Sequence, residues 1–405
     1  MVTADVLDRR RLEGAKVAVG VTFATNGLAF GGWLARAPAV RDDLSLSPAG
    51  FGLLLLCLSG AAVAAIPLAG PLVQRLGPAR AVLLGSMAVV LGLVGLGVGA
   101  AAGSVVSAGV GLIFIGMGNS TWDVAMNVEG ADVERRLGRT LMPRFHAGFS
   151  LGTVAGAGMS AAAAAASITV TVQVFVTAAV AAVVMLLTVR RFLPVPAAHD
   201  ERSPRGRVRD AWREPRTLLI GVIMLGFGFT EGAANDWLAI GLVDGYGASE
   251  TVGAIGLGFF VTAMTLGRLF GGAAIERWGR VRTLRLTAAS ALVGLLLALS
   301  GIGVPAVLAG ALLWGAGASL GFPIGMSAAA DDPLRAAIRV SVAGSIGYGA
   351  FLAGPPLIGL LAERVGVLRA LLVVAVAIGL GVLASGAARP VTRAEDRLTG
   401  SGNRR

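Results

Sequence analysis

Long apolar segments follow one another through almost the whole of this 405-residue chain and leave little room for any other kind of structure. Each is about 20 residues long, the length that an α-helix needs to cross the hydrocarbon core of a bilayer. Charged residues make up only 14% of the chain, against about 25% in a soluble domain. The 60 glycines fit the same class, because small residues let membrane helices approach closely. The sequence therefore predicts an all-α integral membrane protein.

Twelve of these segments qualify as transmembrane helices, although overlapping windows leave counts of ten and eleven open. They cover residues 15–36, 49–70, 79–100, 104–128, 144–165, 168–189, 217–241, 250–272, 282–303, 305–328, 337–361 and 366–388. All but five of the 34 Lys and Arg residues lie at the two termini, in the middle linker or in one alternating set of loops. Because positive loops stay in the cytoplasm, both termini are expected there, which requires an even number of spans. We therefore predict twelve helices in a bacterial inner or plasma membrane.

The chain divides into two similar parts at an arginine- and proline-rich linker. We expect an N-terminal half at residues 1–190, a cytoplasmic linker at 191–216, a C-terminal half at 217–390 and a disordered cytoplasmic tail at 391–405. The triplet Trp-Leu-Ala stands near the end of the first span of each half, and similar loop sequences, GPLVQRLGPAR and GAAIERWGRVR, follow the second span of each. Two halves with the same topology predict a substrate site between them, near the bilayer midplane.

The two repeated loops resemble the major facilitator signature G-x-x-x-D-[RK]-x-G-[RK]-[RK]. The matching residues are Gly70, Arg75, Gly77 and Arg80 in the first copy and Gly272, Glu276, Arg277 and Gly279 in the second. The acid of the signature is present only in the second copy, since the first has Gln74. The resemblance implies the major facilitator fold, twelve transmembrane helices in two pseudo-symmetric six-helix halves. It also implies that these loops act as cytoplasmic gates, held across the halves by charge pairing.

Three polar residues recur every fourth position in the fourth span, namely Asn119, Asp123 and Asn127. This spacing stacks them on one helix face, and an acid within a membrane span is by default a functional candidate. Asp123 lies roughly 28 Å into its span at about 1.5 Å per residue. A long helix would place it in the inner cavity, and a short one at the membrane interface.

A narrower resemblance covers the same stretch. Gly116-x-Gly118 followed by Asp123-Val-Ala-Met-Asn127 is similar to the fourth helix of fucose-permease-like sugar–proton symporters. The resemblance implies that Asp123 carries the proton and that Asn127 lies near the sugar. The first-helix aspartate of those symporters has no match in residues 31–37, which departs from their pattern.

The seventh span contributes a second acid, Glu231, close to the expected midplane. We predict that Asp123 and Glu231 are the two proton-coupling candidates, and that Asn235, at i+4 from Glu231, shares its face. The segment E-G-x-x-x-D-W that begins at Glu231 resembles a bacterial major facilitator subgroup. Its last two residues, Asp236 and Trp237, are consistent with an anchor at the outer interface.

Several other polar residues have two interpretations each. His146 is either a proton relay or an interfacial side chain, and Asn26 either faces the cavity or joins two helices. Tyr348, on a helix that Gly354-Pro-Pro356 is expected to kink, is predicted to line the cavity with them. Arg268 would either snorkel to the cytoplasm, the favoured interpretation, or bind a substrate anion. Asp331 is expected on a solvated loop.

Other protein classes fit poorly. The chain has no P-loop pattern, no metal-ligand spacing and a single cysteine, Cys57, so neither ATP use nor a metal or other cofactor is expected. The net charge of +11 lies in the loops and does not predict nucleic-acid binding. We predict a monomeric transporter, not an enzyme, whose partners are a small solute, protons and lipid. Proton symport of a sugar-like or small polar solute is the first hypothesis. Proton-coupled efflux of an amphiphile and a non-transporting sensor or scaffold are the alternatives.

Overall fold

The computed structural model describes residues 2–46, 48–193, 208–248 and 250–390, and every regular element in them is helical. The first half contains α1 (Val2–Leu34), α2 (Ala37–Asp43), α3 (Pro48–Leu76), α4 (Pro78–Ala102), α5 (Val105–Leu137), α6 (Met142–Ala165) and α7 (Val170–Thr188). The linker contains α8 (Val208–Ala211). The second half contains α9 (Pro215–Tyr246), α10 (Glu250–Ala298), α11 (Val304–Ala318), α12 (Gly321–Ala329), α13 (Ala336–Val365), α14 (Val367–Ala370) and α15 (Val373–Ala384). The predicted tail, residues 391–405, and most of the predicted linker lie outside the described residues.

By length and composition, ten helical segments in the described part of the chain can cross a membrane. Two features account for the difference between these ten segments and the twelve predicted spans. One of the ten, Ile255–Ala298, contains a break at Gly279, where φ is 75° and ψ is 161°, so α10 consists of two helices. Helix α6 is 24 residues long but is not among the ten, because its glycine, serine and threonine residues keep its hydropathy low. With these two corrections, every predicted span has a helix or a consecutive pair of short helices.

Helix α5 continues well beyond its predicted end at residue 128. Its last two turns are charged, and Asp132 forms ion pairs with Arg135 and Arg136 at i+3 and i+4. Such pairs stabilise a helix, and arginines also suit the negative end of the helix dipole. The helix ends at Gly138, which has a left-handed φ of 62°. At 33 residues, α5 is about 50 Å long, far more than the bilayer core requires.

The two halves meet in a pseudo-symmetric way. Within the first half, α1 packs on α6 and α5 packs on α3 and α4; within the second, α9 packs on α13 and α10 on α11. Between the halves, α3 packs against α13, and α6 packs against α10. The internal repeat relates these two contacts to each other. Helix α3 and the first part of α10 are each the second span of their half, and α6 and α13 are each the fifth. This agrees with the predicted arrangement of two six-helix halves.

The repeated loops have the same backbone conformation. Gly77 has φ 78° and ψ 160°, and Gly279, at the matching position of the other loop, has φ 75° and ψ 161°. Glycine adopts a positive φ without the steric penalty that a Cβ brings. Both loops lie at the end of the bundle that contains residues 75–80, 135–144, 277–285 and 335–339, which we call the arginine-rich end.

Candidate functional site

Asp123 lies near the middle of α5 and is buried, with 7% of its surface exposed. It is about 27 Å from the first residue of the helix and about 21 Å from the last. Of the two predicted situations, the long helix is the one observed, and the carboxylate faces the bundle interior. One oxygen accepts a 2.9 Å hydrogen bond from the hydroxyl of Tyr348, which belongs to α13 in the other half. The other oxygen accepts a 3.2 Å hydrogen bond from the Asn127 amide.

Asn127 extends this chain of hydrogen bonds to α6. Its amide nitrogen donates to the side chain and the backbone carbonyl of Asp123, so its Oδ1 atom is left to accept. His146 Nε2 lies 3.2 Å from that oxygen, which assigns the imidazole proton to Nε2. The His146 ring also contacts Phe23 at a centroid distance of 5.2 Å. All four members of this connected network, Asp123, Asn127, His146 and Tyr348, are residues that the sequence predicted for the site.

Glu231 and Arg268 form a buried ion pair beside this network. Arg268 Nη2 lies 2.8 Å from Glu231 Oε2, and their side chains are 6% and 15% exposed. The expectation that Arg268 snorkels to the cytoplasm is wrong. The residue is about 16 Å from the break at Gly279 at 1.5 Å per residue, so its side chain instead turns inward to the carboxylate.

A proline makes a second hydrogen-bond partner available to Arg268. Arg268 Nε donates a 3.3 Å hydrogen bond to the backbone carbonyl of Ser319, between α11 and α12. In a continuous helix that carbonyl would accept from residue 323, but Pro323 has no backbone N–H. The open carbonyl is thus available to the guanidinium. The presence of Pro323 in the sequence was thus a signal for this open carbonyl.

Ser150 joins the ion pair to the first half. It lies one turn after His146 on α6, and its hydroxyl accepts a 2.8 Å hydrogen bond from Arg268 Nη1. The same hydroxyl donates a 3.3 Å hydrogen bond to the backbone carbonyl of His146. The two networks therefore form one polar site between the halves, with two side-chain contacts that cross the interface. Sequence reasoning missed Ser150, because a lone serine in an apolar span gives no signal.

Three predicted site residues, Asn26, Asn119 and Asn235, have other surroundings. Asn26 on α1 donates a 3.0 Å hydrogen bond to Asn119 on α5, so the structure supports the helix–helix interpretation of Asn26. Asn119 is one turn from Asp123 and is partly exposed. Asn235 is exposed and has no hydrogen-bond partner among the described residues, although it follows Glu231 by one turn. The side chain of Trp237, two residues further along α9, packs against α13 at Gly359.

Aromatic rings line the second half next to Asp123. Phe322 on α12, with Tyr348 and Phe351 on α13, form a cluster whose ring centroids are 5.4 to 6.0 Å apart. Tyr348 was predicted from the sequence, and the two phenylalanines were not. Helix α13 runs through Pro355 and Pro356 as one helix. The cluster adds an apolar surface to a site that is otherwise polar.

The halves are joined at the arginine-rich end. Among the described residues, every side-chain hydrogen bond between the halves lies either at the central site or toward this end. There, Glu134 accepts hydrogen bonds from the backbone of Leu141 and Met142, at 2.7 Å each, and from the Ser327 hydroxyl of the other half. Arg135 donates to the Ala330 carbonyl across the interface. The charged hairpin between α5 and α6 thus makes contacts that close this end.

The repeated loops contact the opposite halves unequally. Glu276, the acid of the second copy, accepts a 2.8 Å hydrogen bond from the backbone of Thr140. In the first copy, Gln74 makes no side-chain hydrogen bond to any described residue. The three arginines of the two signature copies, Arg75, Arg80 and Arg277, are exposed and form no ion pair among the described residues. In the first copy, the expected charge pairing is replaced by close packing of the Gly70 backbone against α13.

An ion pair network at this end includes a residue expected in solvent. Asp331 is only 13% exposed and pairs with Arg280 at 2.8 Å and with Arg216 at 2.7 Å. The expectation of a solvated loop is wrong here, because both arginines come from distant parts of the second half. Glu214 pairs with Arg339 at 2.8 Å. Although burial acts to raise it, hydrogen bonds from Arg339 and Thr217 hold the pKa of Glu214 below its ordinary value.

Gly70, the first residue of the first signature copy, lies in α3 rather than in a loop and tests how the halves close. A Cβ on Gly70 would lie 2.7 Å from Ser341 Cβ on α13, so Gly70→Val should force the halves apart at the arginine-rich end. Overpacking of about 1–3 kcal/mol would raise the population open at that end roughly five- to 150-fold. The measurement is the rate of maleimide labelling of Ser327→Cys, which is buried between the halves, in a Cys57→Ser background.

Gly60→Val on the same helix is the matched control for this test. A Cβ at Gly60 meets nothing within 4 Å, so the labelling rate should not change. Equal labelling of the Gly70 and Gly60 variants would contradict the proposed closure contact.

Comparison with known proteins identifies relatives along most of the chain. No protein-family model matches it. An uncharacterised transporter of Sinorhizobium fredii is 32% identical over 356 residues, which are 87% of this chain and 93% of that protein. An uncharacterised MFS-type transporter of Yersinia pestis is 30% identical over 349 residues, which are 86% of this chain and 89% of that protein.

The fold has counterparts among solved structures. The crystal structure of the Escherichia coli fucose:proton symporter FucP has a TM-score of 0.74 to this chain at 15% identity. The alignment covers 93% of this chain and 98% of that one. This likeness shows the fold, and the two bacterial relatives establish that the chain belongs to the major facilitator superfamily of multi-pass membrane transporters.

Proposed function

We propose that the protein is a proton-coupled symporter of a sugar-like or other small polar solute, working by alternating access. The observation that carries the proposal is the pair of buried acids, Asp123 and Glu231, each in a hydrogen-bonded network that crosses the interface between the halves. A carboxylate in such a position links its protonation to the contact between the halves. The amide and imidazole groups around Asp123 supply donors and acceptors for a hydroxylated solute.

The remaining features support this mechanism. The halves are joined at the arginine-rich end, and no side-chain hydrogen bond joins them toward the opposite end among the described residues. Alternating access requires these contacts to break while others form. The arginine distribution supports a cytoplasmic position for that end and for both termini, in a bacterial inner or plasma membrane.

Purified protein in liposomes tests the proposal. A panel of labelled monosaccharides that begins with fucose, the solute named for the structural relative, should include one that undergoes counterflow without a gradient. The same solute should accumulate when the lumen is made alkaline, and an uncoupler should abolish the accumulation. A panel without any exchange would contradict symport and favour the sensor.

Efflux of an amphiphilic compound is the second candidate. The aromatic cluster of Phe322, Tyr348 and Phe351 favours it, because these rings give the site a large apolar surface next to Asp123. In the same liposomes, an antiporter would release a preloaded amphiphilic dye when protons are supplied on the opposite side. A symporter would show no such release.

A further inference from the structure

The buried guanidinium of Arg268 depends on one charge. Each of its nitrogens has a protein partner, Ser319 O for Nε, Ser150 Oγ for Nη1 and Glu231 Oε2 for Nη2, and only Glu231 carries a negative charge. If Glu231 took up a proton, Arg268 would be left as an uncompensated cation. Such a cation is strongly unfavourable in a site of this burial.

A substrate anion would resolve this imbalance. A guanidinium has five N–H donors in a planar fork that matches a carboxylate. Three of the five are used in the structure, so two are free to bind a second acceptor. The surrounding groups, Asn127, His146 and the aromatic cluster, suit the hydroxyl groups and the ring of a sugar-like body.

We infer, building on the proposed function, that the solute is a hydroxylated carboxylate of the sugar-acid class. Its carboxylate binds Arg268, and one proton travels with it on Glu231. The formal charge of the site is the same when it is empty, with Glu231 ionised, as when it holds the proton and a monoanion. Transport is therefore electroneutral. A neutral sugar carried with one proton would instead move net charge.

The titratable groups around Glu231 are consistent with the exchange of its negative charge for that of a bound anion. Arg268 on α10 binds it, and Ser150, which also binds Arg268, is one turn from His146 on α6. The other acid of the site, Asp123 on α5, binds Tyr348 on α13. Helices α11, α12 and α15, which also pack against α9, contain no titratable residue, and the only one on α14 is Arg369. Among the described residues that face Glu231, Arg268 alone is a permanent cation.

A matched pair of probes tests the inference by binding. Glucuronate and glucose share a ring and differ at one carboxylate, and gluconate serves as an open-chain acid. Glucuronate or gluconate should raise the Tm of the purified protein, and glucose should not. Glu231→Gln, which mimics the protonated acid, should keep this response at every pH. Arg268→Gln should lose it, whereas Arg191→Gln, at an exposed arginine, should not.

Arg268→Lys covers the case in which the glutamine variant fails to fold. It keeps the positive charge but loses the planar fork, so the acid should bind roughly 10- to 100-fold more weakly. An unchanged affinity in this variant would overturn the role of Arg268.

Transport separates this inference from the proposed function. In liposomes with a potassium diffusion potential, glucuronate or gluconate uptake should follow the pH gradient and be unaffected by the potential. Potential-driven uptake of glucose would overturn the inference while leaving proton symport intact. Stabilisation by an acid without any transport would leave the binding inference intact and contradict symport. If neither acid produces a response in binding or transport, the inference is wrong.

Discussion

Replacing Glu231 by glutamine is expected to abolish uphill solute accumulation and to leave exchange across the membrane intact. Glutamine can keep a hydrogen bond from Arg268, the side chain that binds the carboxylate, but it cannot take up a proton. A pH difference of one unit stores about 1.4 kcal/mol per proton, enough for about tenfold accumulation in the wild-type protein. In the variant, the internal concentration of the labelled solute should only equal the external one.

The assays for this variant are uphill uptake and counterflow in the same liposome preparation. Asp244→Asn, at an exposed acid of α9, is the matched control and should accumulate solute like the wild type. Unchanged accumulation in Glu231→Gln would exclude Glu231 as the proton carrier. The same pair of assays on Asp123→Asn would then decide whether the other acid has that role.

The local part of this site could be predicted from the sequence, and its long-range part could not. The spacing of Asp123 and Asn127 follows from the helical period alone, and it correctly predicted that they contact each other. Their link to Tyr348 joins residues on α5 and α13, in different halves, and no local pattern encodes such a pair. The repeat predicted that the halves face each other but not which side chains meet.

Arg268 shows why the position of a charge within a span was misleading. Its nearness to a cytoplasmic loop favoured snorkelling, because a single sequence shows the cost of a buried charge but not its partner. The partner, Glu231, lies on a neighbouring helix 37 positions earlier. Asn235 shows the opposite error. Its i+4 spacing from Glu231 was correct, yet the helix carries it toward the end where the halves have no hydrogen bonds among the described residues.

The fold itself was largely predictable, because each level of the sequence gave the same answer. Apolar segments predicted the helices, and the repeated loops predicted two similar halves. Gly77 and Gly279 have matching positive φ values, as an internal repeat requires. Helix ends were less predictable. Helix α5 ends at Leu137, nine residues past its expected end, because the ion pairs of Asp132 stabilise turns that lie beyond the apolar segment.

Breaking the ion pair of Glu231 and Arg268 on one side should cost the folded protein far more stability than removing both charges. Glu231→Gln and Arg268→Gln should each lower the free energy of unfolding by about 3–5 kcal/mol, because each leaves one buried charge without its partner. The side chains are 6% and 15% exposed, so solvent screens the remaining charge only weakly. The double variant removes both charges and should recover most of the loss.

Unfolding of the four proteins, followed by tryptophan fluorescence, completes this double-mutant cycle. A matched cycle on Arg41 and Asp42, a pair at 2.7 Å whose side chains are 37% and 65% exposed, should give a coupling energy below about 1 kcal/mol. Additive losses at Glu231 and Arg268 would mean that the two charges are not coupled in the folded protein. Recovery in the double variant, which is the expected result, would mean that a neutral site folds almost as well. The pair is then retained for function rather than for stability.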